Sequence, residues 1–368
     1  MALNVGIVGL PNVGKSTLFS SLTASKSEIA NYPFCTIDPN IGMVEIPDER
    51  LSKISSLVVS KKTIPAVMEF VDIAGLVKGA SRGEGLGNKF LANIREVSII
   101  VHVVRCFEDR EVVHVDGDVN PQRDISTINT ELCLADLDTV QKSILKNEKN
   151  VKSVDKKVSE HAKMIVSVLK NLEKHLMGVR PAIEFEFDEF GYDFIKSLNL
   201  LTIKKVIYVC NVDENSLCGN RYTDIVKNIA LSEGNNYLIL CAKIEAELAE
   251  IKDLSERREM LESMGIKDSC LSNLIRTAYY ALGLRTYFTA GEQEVRAWTF
   301  IDGMKAPEAA GIIHSDFQRG FIKAEVYSFD DLVEFQGVQG LKEKGRLRLE
   351  GKDYLVRDGD IIFFKFNV

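Results

Sequence analysis

No stretch of the 368 residues approaches the roughly 18 consecutive apolar positions that a membrane-spanning helix needs. The first residues enter a strand-like pattern with no basic segment leading into a long apolar one, so neither a secreted nor a membrane-spanning protein is expected. Cysteines are sparse: Cys35, Cys106, Cys133, Cys210, Cys218, Cys241 and Cys270 make an odd total with no pair at metal-ligand or thioredoxin spacing. That argues against a disulfide framework. Several of them lie inside apolar runs, as buried free thiols do, which fits a reduced, cytoplasmic compartment. Basic residues number 46 against 53 acidic ones, a formal net charge of −7, which argues against a wholesale cationic coat for nucleic acid while local basic patches stay open. Internal repeats and low-complexity tracts are absent.

What remains is an ordinary globular composition, 45% apolar and 27% charged, long enough for two or three domains. Apolar runs of strand length recur: LNVGIVG from Leu3, AVMEFVDIAG from Ala66, VSIIVHVVRC from Val97, KKVIYVCNV from Lys204 and NYLILCAK from Asn236. Continuous rather than alternating hydrophobicity marks strands covered on both faces, and so an α/β fold with a mostly parallel sheet. From Thr130 to Met177 neither glycine nor proline occurs. Leu137, Val140, Ile144, Val151, Val154, Val158, Ile165, Val168 and Leu172 recur there at steps of three and four, a coiled-coil seam. The polar stretch KNEKNVKSVD allows two antiparallel helices, and one unbroken helix fits the same pattern. After Leu282 the texture turns to short alternating strands, EVRAWTF, GFIKAEVY and KDYLVRDGDIIFFKF, with RDGD as a hairpin-like turn. The expected domains are residues 1–129 with 201–282, an inserted helical part over 130–200, and a β-rich tail over 283–368.

The strongest local signal is GLPNVGKST, Gly9 to Thr17, which matches G-x-x-x-x-G-K-[ST] between a strand and a helical pattern. Gly9 and Gly14 permit the close backbone approach that lets successive N–H groups, through Asn12, Val13 and Gly14 to Thr17, converge on phosphate oxygens at a helix N-terminus. Lys15 brings a full charge to the β and γ phosphates, and Ser16 is a Mg²⁺ ligand. In FVDIAG, Asp72 ends a strand and reaches Mg²⁺ through water, while the Gly75 N–H senses the γ-phosphate. Thr36, in the loop-like NYPFCTIDPN, is placed to close the metal shell. Gly79, Gly83, Gly85 and Gly87 lie in one glycine-rich segment, as in a switch ordered by the γ-phosphate.

With the switch reading GLVKGASRGEGLGNKFL, the helical insertion, and TYFTAGEQEVRAWTF, AAGIIHSDFQRGFIKAEV and GKDYLVRDGDIIFFKFNV in the tail, the chain resembles the YchF or Obg-like ATPase family over essentially its whole length. The resemblance implies a P-loop G-domain of the translation-factor branch, a coiled-coil insertion, and a ubiquitin-like β-grasp (TGS) tail. It also implies ATP in preference to GTP, and an association with ribosomes.

NVDE, Asn211 to Glu214, bears on the base. GTP-specific relatives read guanine with N-K-x-D, whose aspartate accepts two hydrogen bonds from the ring. Here Val212 replaces the lysine and Glu214 the aspartate. A carboxylate one methylene longer cannot take the same place, which forfeits bidentate recognition. Adenine needs an acceptor for its N6 amino group, from Asn211 or a nearby backbone carbonyl. Cys241 and Ala242, in CAK, resemble the other base-side loop.

Ras-type enzymes place the attacking water with a glutamine after D-x-x-G, where this chain has Leu76. The resemblance suggests His114 as the catalytic group instead, and a histidine titrates in the right range. A monovalent cation such as K⁺ at Asn12 is the other candidate. Hydrolysis is expected to be slow and stimulated by a partner. In the tail, Lys342, Lys344, Arg346, Arg348 and Lys352 are interleaved with Glu343, Glu350 and Asp353: a solvated face, or a stripe for ribosomal RNA phosphates. No membrane or DNA partner is expected. Three readings stay open: an Mg²⁺-dependent ATPase switch on the ribosome, a nucleotide-responsive binding protein with incidental hydrolysis, and a conventional GTPase.

Overall fold

The computed structural model describes residues 4–24, 40–73, 86–109, 117–251, 253–266 and 268–367. In chain order the strands are β1 (Asn4–Val8), β2 (Ile41–Glu45), β3 (Thr63–Ile64), β4 (Val67–Asp72), β5 (Ile99–Arg105), β6 (Val206–Asn211), β7 (Asn236–Leu240), β8 (Leu284–Ala290), β9 (Val295–Ile301), β10 (Phe321–Ser328), β11 (Arg348–Glu350) and β12 (Asp360–Phe366). The chain divides into two units, Met1–Gly42 with Glu69–Leu271, and Met43–Met68 with Ser272–Val368.

The apolar runs build a six-stranded sheet of order β2-β4-β1-β5-β6-β7. The β1–β4, β1–β5, β5–β6 and β6–β7 pairs are parallel, which fulfils the expectation of a mostly parallel α/β sheet. Every residue of β5 is buried, as a central strand covered on both faces requires. Register fixes the functional edge: Ile7 pairs with Asp72 and Asn211 with Leu240, so the loops after β1, β4, β6 and β7 leave the sheet at the same end.

One polar side chain in that centre has a measurable consequence. His102 on β5 is 2% exposed, and its ring lies 5.4 Å from that of Tyr208. Burial disfavours the imidazolium and pushes its pKa down to about 3. As pH falls from about 6.5 towards 3 the unfolded chain takes up a proton here that the folded chain refuses, so stability drops by about 1.4 kcal/mol per pH unit from this group. Urea midpoints across this window should fall with acidity, and His102→Leu should flatten the slope; an unchanged slope would refute the assignment.

The insertion is a helical hairpin. Helix Pro121–Val151 opens with Pro in its first turn and Asn120 as cap, accepting from Arg123 N at 3.1 Å. After a short turn, Asp155 caps helix Lys156–Met177 through Lys157 N at 2.9 Å. Contacts between Gln141 and Glu173, Glu148 and Lys170, and Val151 and Ser159 run in opposite senses along the two helices, so they are antiparallel. That decides between the two arrangements left open by the pattern. Val140, Ile144, Ile165, Leu169 and Leu172 fill the seam. Val154 and Val158, expected in it, are exposed, because the chain reverses there and no facing helix is left to cover them. At the base of the hairpin, buried Asp136 accepts from Leu201 N, Thr202 N and Thr202 Oγ1 at 2.7–2.8 Å and ties the helix to the returning chain.

The second sheet has the order β11-β10-β12-β8-β9-β3. β8 and β9 form an antiparallel pair, β10 is antiparallel to β12, and β12 lies parallel to β8, the mixed arrangement of a β-grasp. Helix Ala306–Ile313 packs Ala309 and Ala310 into a core with Tyr287, Phe300, Phe321 and Phe364. RDGD does not make a hairpin: β12 begins at Asp360 and pairs with β10 and β8, while upstream Leu355 makes only an isolated bridge to Lys305. Instead Asp360 folds back to accept from Arg357 N at 2.9 Å. Residues 43–68 and 272–282 fall in this unit, against the expectation that placed both stretches with the nucleotide-binding part. For the first stretch the reason is Arg50 on helix Glu49–Val58, which bonds Asp358 at 2.8 Å and lies over the Phe288 ring at 5.3 Å. The six described cysteines are free thiols.

Candidate functional site

The phosphate loop leaves β1 and enters helix Lys15–Thr23 through two unusual conformations. Asn12 has φ 61°, which asparagine tolerates, and Gly14 has φ 92°, where a side chain would be strained. Gly14 is also the tightest contact in the site: a Cβ there would stand 2.2 Å from Asn211 Nδ2. At Gly9 a Cβ would meet the Val103 carbonyl at 2.8 Å. Both glycines therefore answer to sterics as well as to conformation.

Asn211 is the joint of the site. At 4% exposure its Nδ2 donates to the Val13 carbonyl at 2.9 Å, and its Oδ1 accepts from Ala242 N at 2.9 Å. One side chain thus ties the phosphate loop to the start of helix Ala242–Glu250, where Cys241 is the capping residue. Both its polar atoms are engaged in the scaffold.

The loop borders a cleft of about 750 Å³. Its phosphate end holds Gly14, Lys15, Ser16 and Thr17, and the wall at the other end holds Val212, Glu214, Cys241 and Ala242. Lys15 Nζ bonds the Asp72 carboxylate, and both side chains are largely buried. Ser16 and Asp72 are the hard oxygen donors that suit Mg²⁺, which keeps most of its shell for phosphate and water. No cluster of three or more His, Cys, Asp or Glu side chains that could hold a metal occurs among the described residues.

At the base end Val212 is 2% exposed and offers no polar side-chain atom. Glu214 is half exposed and turned to Lys243, 2.6 Å away. Burial pushes the Cys241 thiol up, so it stays neutral. Across the cleft stand Phe107, Glu108 and Asp109, which the sequence reading missed. Arg105 shapes that wall from within: 1% exposed, it donates to the Phe107 carbonyl at 3.2 Å and to that of Asp109 at 3.3 Å, and it lies 4.6 Å from the Phe107 ring. Asn220 holds the loop from outside through the Cys106 carbonyl at 2.8 Å, and Arg221 and Tyr222 through Glu108 at 2.6 and 2.5 Å. The available signal was Arg105 itself, a cation closing a fully buried strand.

Gly9, Asn12, Val13, Gly14, Lys15, Ser16, Thr17, Asp72, Asn211, Val212, Glu214, Cys241 and Ala242 are thus gathered at one edge of the sheet. Thr36, Gly75 and His114 lie outside the described residues, as do Leu76, Gly79, Gly83 and Gly85. No helix among the described residues is long and apolar enough to cross a membrane.

Two family models match the chain. MMR_HSR1, described as 50S ribosome-binding GTPase, covers residues 4–171, and YchF-GTPase_C, described as a protein of unknown function (DUF933), covers residues 284–367. Ribosome-binding ATPase YchF of Bacillus subtilis (strain 168) is 53% identical, and the protein of the same name from Escherichia coli O157:H7 is 50% identical, each over 100% of both chains. The solved structure of the Schizosaccharomyces pombe YchF GTPase superposes with a TM-score of 0.89 at 38% identity, over 99% of this chain and 97% of that one. Likeness of this degree runs through the phosphate cradle, the helical hairpin and the β-grasp tail alike, and the chain belongs to the YchF family.

Proposed function

We propose that this chain is a Mg²⁺-dependent ATPase that accepts GTP less well and works as a nucleotide-controlled switch on the ribosome. Three parts carry it: the nucleotide-binding sheet with its loops and helices, the helical insertion, and the β-grasp tail. The observation that carries the choice of base is the state of the Asn211–Glu214 segment. Glu214 is drawn to Lys243, Val212 is apolar, and Asn211 is spent on the scaffold, so none of these three side chains presents the paired acceptor that guanine N1–H and N2–H₂ require. Adenine asks less of this wall: an acceptor for N6 and an apolar surface, which backbone carbonyls and the Phe107 ring supply.

At the phosphate end, Lys15 exchanges its Asp72 partner for β and γ oxygens, and the N–H groups from Gly14 to Thr17 hold the same charge. Ser16 directly, Asp72 through water, and Thr36 would hold Mg²⁺, which neutralises charge developing between the β and γ phosphates. Gly75 reports the γ-phosphate to the glycine-rich segment. Asn12 is the place for K⁺. With Leu76 unable to orient water, His114 is assigned that task, and turnover stays slow until the ribosome supplies what is missing. The names of the relatives, ribosome-binding ATPases, support this reading.

Competition titration with Mg²⁺ tests it. ATP should bind at least as tightly as GTP, and the double change V212K with E214D should raise GTP affinity about tenfold or more by restoring the paired acceptor. GTP binding tighter than ATP by orders of magnitude would instead establish a conventional GTPase.

A further inference from the structure

The distal half of the helical hairpin is charged against the trend of the chain. Between residues 142 and 170 there are eight lysines and three carboxylates, in a protein whose net charge is −7. On one face of the hairpin the two helices leave a groove of about 580 Å³, with Leu145, Val151 and Val166 along it and Lys149, Lys152, Lys163 and Lys170 around it. Lys170 is neutralised by Glu148 at 3.0 Å. Lys149, Lys152 and Lys163 are exposed and form no ion pair among the described residues. Lys149 and Lys152 are three residues apart on one helix, hence neighbours on its surface, and Lys163 faces them from the other.

A solvated charged face would intersperse both signs, as in the tail. There Arg348 is held by Glu350 and Asp360 at 3.4 and 3.5 Å, while Arg346 lies 3.9 Å from Asp331 and 5.8 Å from the Phe335 ring. The arginines of that cluster have protein partners already. The groove lysines do not, and their ammonium groups are long, flexible point charges suited to a run of phosphates rather than to a single planar carboxylate. The exposed apolar side chain of Leu145 in the groove adds surface for sugar and base edges.

We propose that this groove is a docking surface for the phosphate backbone of ribosomal RNA. The identity of the RNA rests on the ribosome reading above; the groove's preference for a polyanion does not.

The test uses the full-length chain with Lys149, Lys152 and Lys163 all changed to Glu, and a second variant with all three changed to Gln, which removes charge without reversing it. Binding is measured by co-sedimentation with ribosomes and by titration of a naked RNA duplex, each over a salt series. Loss of three phosphate contacts should lower affinity at least tenfold in the Glu variant, less in the Gln variant, and should flatten the slope of log affinity against log salt by about 2 to 3. Affinity for ATP and the thermal midpoint should stay at wild-type values, since the three side chains are exposed and far in sequence from the cleft. If the wild type fails to sediment with ribosomes yet binds duplex RNA in a way both variants lose, the groove stands and the ribosome reading falls. Unchanged RNA affinity in both variants would overturn the groove. Affinity lost with an unaltered salt slope would also overturn it, in favour of a protein partner.

Discussion

Gly14→Ala should lower ATP affinity at least 100-fold, measured by equilibrium titration with a fluorescent nucleotide. At φ 92° an alanine is strained by about 1–2 kcal/mol before any contact is counted. Its Cβ would also stand 2.2 Å from Asn211 Nδ2, a distance real side chains do not occupy. Something must move. If Asn211 turns away, the Val13 carbonyl and Ala242 N lose their buried partner, at about 1–3 kcal/mol each. If the loop moves instead, the N–H groups no longer converge on the phosphates. With the strain included, the first route exceeds the ~2.7 kcal/mol that corresponds to a hundredfold loss, and the second removes the phosphate contacts themselves. Gly351→Ala is the control, since nothing lies within 4 Å of a Cβ there and its backbone is not left-handed. Gly14→Ala binding within threefold of wild type would show that the cradle is not where the phosphates sit.

How much of this was legible in the sequence varies with the range of the interaction. The conformation of the Gly9–Thr17 loop was legible, because its constraints are local: a Cβ at Gly9 or Gly14 would collide, and Gly14 has φ 92°. The parallel sheet was read from the same kind of signal, runs such as VSIIVHVVRC that have no polar face. The hairpin was read as a seam, but the position of its turn was not, because Val154 and Val158 continue the apolar period past the point where the partner helix stops. The placement of residues 43–68 was invisible, since it depends on Arg50 meeting Asp358 across 308 positions of chain. At the base end, NVDE showed where the segment departs from N-K-x-D. It did not show that Asn211 is a strut, nor that Arg105 holds Phe107 opposite, because both facts are set by contacts between distant segments.

The strut makes the sharpest test of that geometry. Asn211→Asp keeps the shape of the side chain and one of its two bonds: an oxygen still accepts from Ala242 N, but the other now faces the Val13 carbonyl, with two acceptors where 2.9 Å had separated donor from acceptor. At 4% exposure an ionised carboxylate so placed is poorly solvated, and removing its partner costs about 3–5 kcal/mol, so both the thermal midpoint and ATP affinity should fall. Protonation repairs the fault, because the acid O–H can again donate to Val13. The folded variant therefore binds this proton more tightly than the unfolded chain, and the carboxyl pKa in the fold lies above its ordinary value of about 3.9. The sign follows: the repaired bond is fully present below the unfolded value and is lost as pH rises through the folded one. The deficit relative to wild type should shrink from pH 8 to pH 5, the direction opposite to the loss that His102 imposes on both proteins. Asn211→Ala, which has no proton to take up, should show a deficit independent of pH. Thermal melts of the three proteins across this range decide the matter, and equal pH dependence in the Asp and Ala variants would mean that Asn211 is not the link between the phosphate loop and the base wall.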